Sequence, residues 1–299
     1  MSYRLKSDEM PADGIRRIAR EQLEKALSEI EQLSTAKAAA AVHATRRHIK
    51  KVRALLRLVR DEIGEKIFEE EDRRLREVAR SFSGARDGQV QLNMLEKLRD
   101  QARQKKAVFQ KTAAALKREI AALAVDLGAE EQSAEATLQW IGDRIEGWPL
   151  DNLSAEDLCR ALKRFYRRGR KGLRCVESDP TAENFHSWRK RVKDVWYQSL
   201  LLQNLHPAVM CELANGAQTL GRQLGDLHDL AFFRSRLAGA AELPESERTA
   251  LLGLICAREG ELQEIALDLG ARFFAEKPKA FEKRLLRYAK EWPARSEPA

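Results

Sequence analysis

The sequence is poor in the residues that turns, nucleotide-binding loops and base-stacking surfaces require. Its 299 residues include 16 glycines and 8 prolines, and only 6% are aromatic. Scarce glycine and proline argue against a chain of many β-turns and against a Rossmann-type nucleotide binder. The low aromatic content argues against a surface that stacks on single-stranded bases. Nucleic acid is therefore a disfavoured partner.

Long apolar runs are also missing. No stretch approaches the roughly 20 continuous apolar residues that span a bilayer. The N-terminal residues Met1 to Lys6 lack the apolar core of a signal peptide. We therefore expect a soluble cytoplasmic protein with no membrane partner.

Sequence signatures of metal sites and of common enzymes are lacking as well. The four cysteines stand apart without CxxC spacing, which predicts that they behave as small hydrophobes rather than as disulfides or zinc ligands: Cys159, Cys175, Cys211 and Cys256. The chain contains no GxxxxGK[ST] phosphate loop, no HExxH and no GxSxG. We expect no metal, no cofactor and no enzymatic activity.

Apolar residues recur at three- and four-residue spacing nearly throughout, which predicts an all-α fold. Expected helices cover Ile15–Ile30, a segment ended by Gly64, Leu75–Phe82, and one long helix from Val90 to Leu127 that is followed by a loop at 128–133. Further helices are expected from Ser154 to Val176, from His186 to Leu205, from Pro207 to Leu224, and in a last long region from Pro244 towards Tyr288.

Positive charge is concentrated in three segments that contain no acid. Val42–Arg60, Leu158–Val176 and His186–Lys193 hold 19 of the 54 lysines and arginines and none of the 46 acidic residues. The rest of the chain is net negative, although the whole chain has a net charge of +8. Like charges packed together destabilise a fold, so this concentration predicts a site that a polyanion normally occupies.

An internal repeat accompanies these segments. His43–Val52 matches His186–Val195 at a constant offset of 143, and Asp87 is echoed by Asp229 at an offset of 142. Two helical units, residues 8–149 and 150–290, each a four-helix bundle and related by duplication, explain this pattern best.

Helical spacing sorts the cations into stripes that share one face. The predicted stripes, from the second helix, the second copy of the repeat, the helix before it and the first helix, are: His43, Arg46, Arg47, Lys50, Arg53 and Arg57; His186, Arg189, Lys190 and Lys193; Arg160, Arg164, Arg167, Lys171 and Arg174; and the sparser Arg16, Arg17 and Arg20. Cations about 5 Å apart along a helix suit a ligand with repeated charge.

Two alternatives remain open at this stage. Asp87 and Asp229 would hold a divalent metal in a phosphate-processing enzyme, although an N-cap or an arginine partner is the commoner use of such an aspartate. A nucleic-acid-binding module is the other alternative, with Trp188 and Trp196 near the second stripe. His48 and His206 are interpreted as hydrogen-bonded structural residues, and the Glu183-x-x-His186 pair is rejected as a di-iron motif.

These residues resemble the CHAD family, named for its conserved histidines. The resemblance covers about residues 8–290 and rests on four motifs: His43-x-x-Arg46 with Lys50, Tyr166 to Lys171, His186-x-x-Arg189-Lys190-x-x-Lys193, and a turn at Ala85-Arg86-Asp87 and Leu224–Asp229. Ser83 and Trp196 depart from the family pattern. The resemblance implies two four-helix bundles with pseudo-twofold symmetry. It also implies non-catalytic binding of inorganic polyphosphate in a basic groove or pore between them, at polyphosphate granules.

Overall fold

Helices account for most of the residues that the computed structural model describes, which are 3–33, 38–82, 84–101, 109–123, 128–239 and 244–290. These ranges contain twelve α-helices and no β-strand. The all-α prediction is confirmed.

The first half of the chain forms seven helices: α1 (Pro11–Ile30), α2 (Ala38–Leu58), α3 (Arg60–Ile63), α4 (Glu65–Ser81), α5 (Gly84–Gln101), α6 (Gln110–Leu123) and α7 (Gly128–Arg144). Gly64 ends α3 with a φ of 81°, a conformation that residues with a Cβ rarely adopt. A 3₁₀ turn at Ile145–Gly147 follows α7.

The second half forms five helices: α8 (Ala155–Ser178), α9 (Ala182–Leu201), α10 (Pro207–Ala238), α11 (Glu245–Phe273) and α12 (Pro278–Lys290). Ser154 begins α8 with a capping box in which Asp157 is the partner. Thr181 begins α9 by accepting a hydrogen bond from the backbone N–H of Asn184.

Four sequence expectations about element bounds are wrong. The long helix expected from Val90 to Leu127 is two helices, α5 and α6, which pack against each other. The loop expected at 128–133 belongs to α7, whose Ala, Glu and Gln residues favour helix. The last long helical region is two helices because Pro278 starts a new one.

The fourth wrong expectation concerns α10, which continues past Leu224 to Ala238. The predicted turn at Gly225–Asp229 therefore lies inside a 32-residue helix. Buried Leu227, Leu230 and Phe233 continue the apolar stripe through this region, so packing keeps the segment helical despite its glycine.

Neighbouring helices in the two halves follow a similar order. In the first half α1 packs against α2 and α7, α2 packs against α4 and α5, and α5 packs against α6. In the second half α8 packs against α9 and α12, α9 against α10, and α10 against α11. The halves meet where α2 contacts α8 and α9 and where α5 contacts α10. Buried apolar residues of both halves belong to one continuous core.

The N-terminal segment ties α2 to the end of α9. The backbone N–H of Leu5 donates to the Leu201 carbonyl at 2.9 Å, and Asn204 Nδ2 donates to the Leu5 carbonyl at 2.8 Å. Tyr3 donates its hydroxyl to the Lys51 carbonyl at 3.1 Å and packs edge-on against Tyr197. The segment therefore reinforces the contact between the two halves.

Trp188, which lies within the second copy of the repeat, is a core residue with no exposed surface. It fits between helices because Gly172 and Gly270 have no side chain. A Cβ at Gly270 would lie 2.6 Å from Trp188 Cη2 and 3.1 Å from Leu173 Cδ1, closer than packed carbon atoms approach.

We predict that Gly270→Ala lowers the free energy of unfolding by about 1–3 kcal/mol, because the new methyl group overpacks a site that has no room to relax. Urea unfolding followed by circular dichroism measures the change. Gly253→Ala in the same helix is the matched control, since nothing in the described part of the chain lies within 4 Å of its Cβ position. There the gain in helix propensity should stabilise the protein, and equal effects of the two substitutions would contradict the prediction.

Candidate anion-binding site

The two copies of the histidine-containing repeat lie on α2 and α9, two of the helices through which the halves touch. Gln198 of α9 donates from Nε2 to the Ala54 carbonyl of α2 at 2.7 Å in a buried position. Near it, Arg57 of α2 and Asp194 of α9 form an ion pair at 2.9 Å. Both predicted stripes therefore lead, at their C-terminal ends, to one contact between α2 and α9.

The α9 stripe faces α10. The rings of His186 and His228 lie 4.2 Å apart. A Cβ at Gly225 would lie 3.6 Å from Arg189 Nε, so the arginine side chain crosses α10 at a glycine. Lys193 lies over the Trp196 ring, 4.8 Å from its centroid, which is within range of a cation–π interaction.

The α2 stripe faces α4 on one side and α9 on the other. Arg46 donates to the Ala79 carbonyl of α4, and Arg53 Nε donates to Asp72 of α4 at 2.8 Å. Arg47 is exposed. The side chains of His43 and Lys50 are exposed and half-buried, respectively.

Tyr197 shows that cations of both stripes share one environment. Burial raises the pKa of its hydroxyl, while Arg57, Arg189 and Arg47 oppose that shift, in decreasing order of effect. Arg47 and Arg57 belong to α2 and Arg189 belongs to α9. The structure therefore brings guanidinium groups from both copies of the repeat around a single phenol.

The predicted α8 stripe divides into parts with different neighbours. Arg164 pairs with Asp61 at 3.0 Å. Arg160 is held at the start of its own helix by Glu156 and Asp157, each at 2.9 Å. Arg160 is also exposed, and so are the three predicted residues that have no acid partner among the described residues: Arg167, Lys171 and Arg174.

Arg168, which was not among the predicted binding residues, lies beside Arg164 and Arg191. Burial lowers its pKa, and Arg191 and Arg164 lower it further. Arg168 sits one helical turn after Arg164 and takes the place that Arg167 has in the predicted stripe. The cationic face of α8 is therefore rotated towards α9 by one residue. Lys163 and Arg170 instead contact Glu282 and the Glu276 carbonyl on the side of α12.

Arg16 and Arg20 lie elsewhere in the structure. Arg16 pairs with Asp151 at 2.8 Å and donates to the Trp148 carbonyl. Arg20 pairs with Glu146. Both residues of α1 are therefore held by the segment that follows α7, and the structure does not group them with the α2 and α9 stripes.

Lys25 is the α1 cation that lies near the α2 stripe, together with Lys51. Burial lowers the pKa of Lys51, and Arg47 and Lys25 lower it further. The 143-residue offset of the repeat also relates Lys25 to Arg168, so each copy has a cation at this position of the preceding helix, a correspondence that is visible in the sequence.

The structural interpretation of two histidines is confirmed. His48 is buried, and its Nδ1–H donates to Gln22 Oε1 at 2.9 Å. His206 begins α10, where its Nδ1 accepts from the Val209 N–H. Of the two candidate metal aspartates, Asp229 lies inside α10 and not at a helix junction, and the side chain of Asp87 lies outside the described residues.

Cysteine burial differs from the prediction. Cys159 is buried, whereas Cys175 and Cys256 are exposed, and all four cysteines are free of disulfides.

Within the part of the chain that the structure describes, no group of three or more His, Cys, Asp or Glu side chains is arranged to hold a metal ion. The helices of that same part include none with the length and apolar composition to cross a membrane.

The fold and the site together define an all-helical protein with a basic surface where its two halves meet. A CHAD domain profile matches residues 17–238, which is most of the chain, and the chain therefore belongs to the CHAD family. The resemblance seen in the sequence is confirmed.

The same fold occurs in a solved structure, the crystal structure of the CHAD domain from the plant Ricinus communis. The two chains have 16% sequence identity and a TM-score of 0.73, over 93% of this chain and 96% of that chain. Among curated proteins, none matches this chain significantly.

The buried histidine gives a pH prediction. Burial first, then Lys51, Arg47 and Lys25, lowers the pKa of His48 from 6.5 to about 4. Between these values the unfolded chain binds a proton that the folded chain does not, so stability falls as the pH decreases from about 6.5 to 4. Glutamine cannot titrate. We therefore expect the free energy of unfolding of His48→Gln to fall by about 2 kcal/mol less than that of the wild type over this pH range.

Urea unfolding of both proteins between about pH 4.5 and 7.5 measures the difference. Each protein's stability is taken relative to its own value at the upper end, so that any loss caused by the substitution itself cancels. His206→Gln serves as the matched control, because it replaces the other structural histidine, whose described role is to cap α10 through one hydrogen bond from the Val209 N–H. Parallel pH profiles of the wild type and His48→Gln would contradict the prediction.

Proposed function

We propose that this protein binds inorganic polyphosphate without catalysis, on the basic surface formed by the α2 and α9 stripes. One observation carries the proposal: both copies of the His-x-x-Arg-basic-x-x-Lys pattern lie on helices that contact each other. Membership of the CHAD family supports polyphosphate as the polyanion.

The electrostatics of the surface favour a polyanionic ligand. Exposed Arg47 and Lys190 make no hydrogen bond or ion pair within the described ranges. Burial lowers the pKa of His186, and Lys190 and Arg189 lower it further. Cations that push each other towards their neutral forms gain stability when a chain of negative charges is added.

The packing order of the helices supports an internal duplication. The contacts of α1, α2, α5, α6 and α7 have counterparts in α8, α9, α10, α11 and α12. In this proposal α10 takes the place of both α4 and α5, and residues 8–149 and 150–290 are two bundles related by a pseudo-twofold axis. The axis would pass between α2 and α9, so that the two stripes form one groove or pore for a linear ligand.

The arginines suit this ligand for a further reason. A guanidinium group binds phosphate oxygens through two parallel hydrogen bonds, and a lysine adds a movable charge. Arg46 and Lys50 are one helical turn apart, as are Arg189 and Lys193, which spaces the charges along each helix by about 5–6 Å. Polyphosphate granules are the cellular setting that the family resemblance implies for such a protein.

We predict that replacing Arg46, Arg189 and Lys193 together with alanine lowers the affinity for long-chain polyphosphate by at least about 100-fold, since each lost contact to a charged group costs about 1.5–3 kcal/mol. Isothermal titration calorimetry measures the affinity, and circular dichroism verifies that helicity is retained.

A variant with the same change of charge provides the control. Arg73, Arg258 and Arg272 pair with acids of their own helices on exposed faces of α4 and α11. Their replacement with alanine should change the affinity only through the net charge, by less than about tenfold at physiological salt, where such distant charges are screened. If both triple variants bind as the wild type does, the proposed site is wrong.

The second prediction separates polyphosphate from nucleic acid. We expect long polyphosphate to displace labelled duplex DNA at equal phosphate concentration, and its affinity to rise with chain length. Affinity should also fall steeply with salt, because each neutralised phosphate releases a counterion. Fluorescence anisotropy measures the competition. Displacement of polyphosphate by DNA instead would favour a nucleic-acid-binding protein.

A further inference from the structure

Asp194 places a buried carboxylate within the basic surface. Its side chain is only 7% exposed, and it pairs with Arg57 of α2 at 2.9 Å and with Arg191 of its own helix at 3.4 Å. One carboxylate is therefore shared by two guanidinium groups that come from different halves of the molecule.

The surroundings of this carboxylate contain more cations than acids. Arg168 of α8 lies close enough to interact electrostatically with both Arg191 and Asp194. It makes no ion pair or hydrogen bond within the described residues. Arg164 has Asp61 as its partner, and that side chain is 62% exposed. Asp194 is the buried acid around which the cations of α2, α8 and α9 are arranged.

Asp194 is also unusual in the sequence, because it is an acid within a segment that otherwise contains none. Asp194 is the only acid between Glu183 and Glu212. It follows directly after the cationic stripe of α9, and the 143-residue offset matches it with Lys51 in the first copy of the repeat. The two copies therefore carry opposite charges at one equivalent position.

We propose, on the basis of the proposed function, that Asp194 is an internal counter-ion that occupies Arg57 and Arg191 and limits the affinity of the surface for polyphosphate. Phosphates that approach these arginines must compete with a carboxylate that is already in place. In this role Asp194 holds the cations together in the empty protein and opposes the ligand by charge repulsion.

Two effects of removing this charge oppose each other. The loss of repulsion strengthens binding, and it is large because a carboxylate at this depth is weakly screened by water and salt. The loss of a partner lets Arg57 and Arg191 sample more rotamers, which weakens binding by a smaller amount. The balance favours tighter binding.

The test compares Asp194→Asn with the wild type, using fluorescently labelled polyphosphate at several salt concentrations. We expect Asp194→Asn to bind about fivefold more tightly, and the logarithmic salt dependence to become steeper by about one ion. Asp194→Glu retains the charge and should bind as the wild type does. Unchanged or weaker binding by Asp194→Asn overturns the inference, because a purely structural role predicts that result.

Asp268→Asn is the control for net charge. Asp268 pairs with Arg272 on an exposed face of α11, so the substitution changes the total charge by the same amount at a solvated position. It should leave the affinity within about twofold of the wild type. An effect equal to that of Asp194→Asn would also overturn the inference.

A second pair of variants keeps the test valid if Asp194→Asn unfolds. Arg57→Gln removes one cation and should weaken binding, whereas Arg57→Gln with Asp194→Asn removes both members of the pair and should restore wild-type affinity. If the double variant binds as weakly as Arg57→Gln alone, Asp194 exerts no repulsion and the inference fails.

Failure of the inference and failure of the proposed function give different results. A wild-type protein that does not bind polyphosphate overturns both. A wild-type protein that binds, together with an Asp194→Asn variant that binds no more tightly, overturns only the role of Asp194.

Discussion

The contact between α2 and α9 is the constraint on which the rest of the site depends. It is held by the buried hydrogen bond from Gln198 to the Ala54 carbonyl and by the ion pair of Arg57 with Asp194. The N-terminal segment reinforces it through Tyr3, which contacts both Lys51 and Tyr197. Because each helix carries one copy of the basic repeat, this single contact brings the cations of distant sequence segments together.

Concentrated positive charge requires compensation, and the arginines of this protein differ in whether they receive it from the protein itself. Some arginines bind acids or carbonyl oxygens: Arg53 pairs with Asp72 of α4, and Arg16 pairs with Asp151 after α7. Others, such as Arg47 and Arg168, remain beside further cations and make no ion pair among the described residues. The first kind stabilises the fold, and the second provides the electrostatic potential that the proposed function requires.

Much of this organisation could be predicted from the sequence, because helical periodicity and local charge are properties of short segments. The all-α fold and the start of α8 at Ser154 followed from spacing and residue type, and the structural roles expected of His48 and His206 agree with the hydrogen bonds that they make. The errors lie where tertiary packing overrides a local signal. Gly225 suggested a turn, yet buried leucines keep α10 helical, and no local pattern showed that Arg168 would lie beside Arg191.

The sequence by itself determined that two copies of one basic pattern exist, at an offset of 143 residues, and which helix faces carry them. Only the tertiary structure decided which cations lie close together. It directed Arg16 and Arg20 to acids beyond α7 and placed Asp194 among the arginines of three helices. The physical reason is that periodicity fixes directions around one helix axis, whereas the distance between charges on different helices depends on how those helices pack.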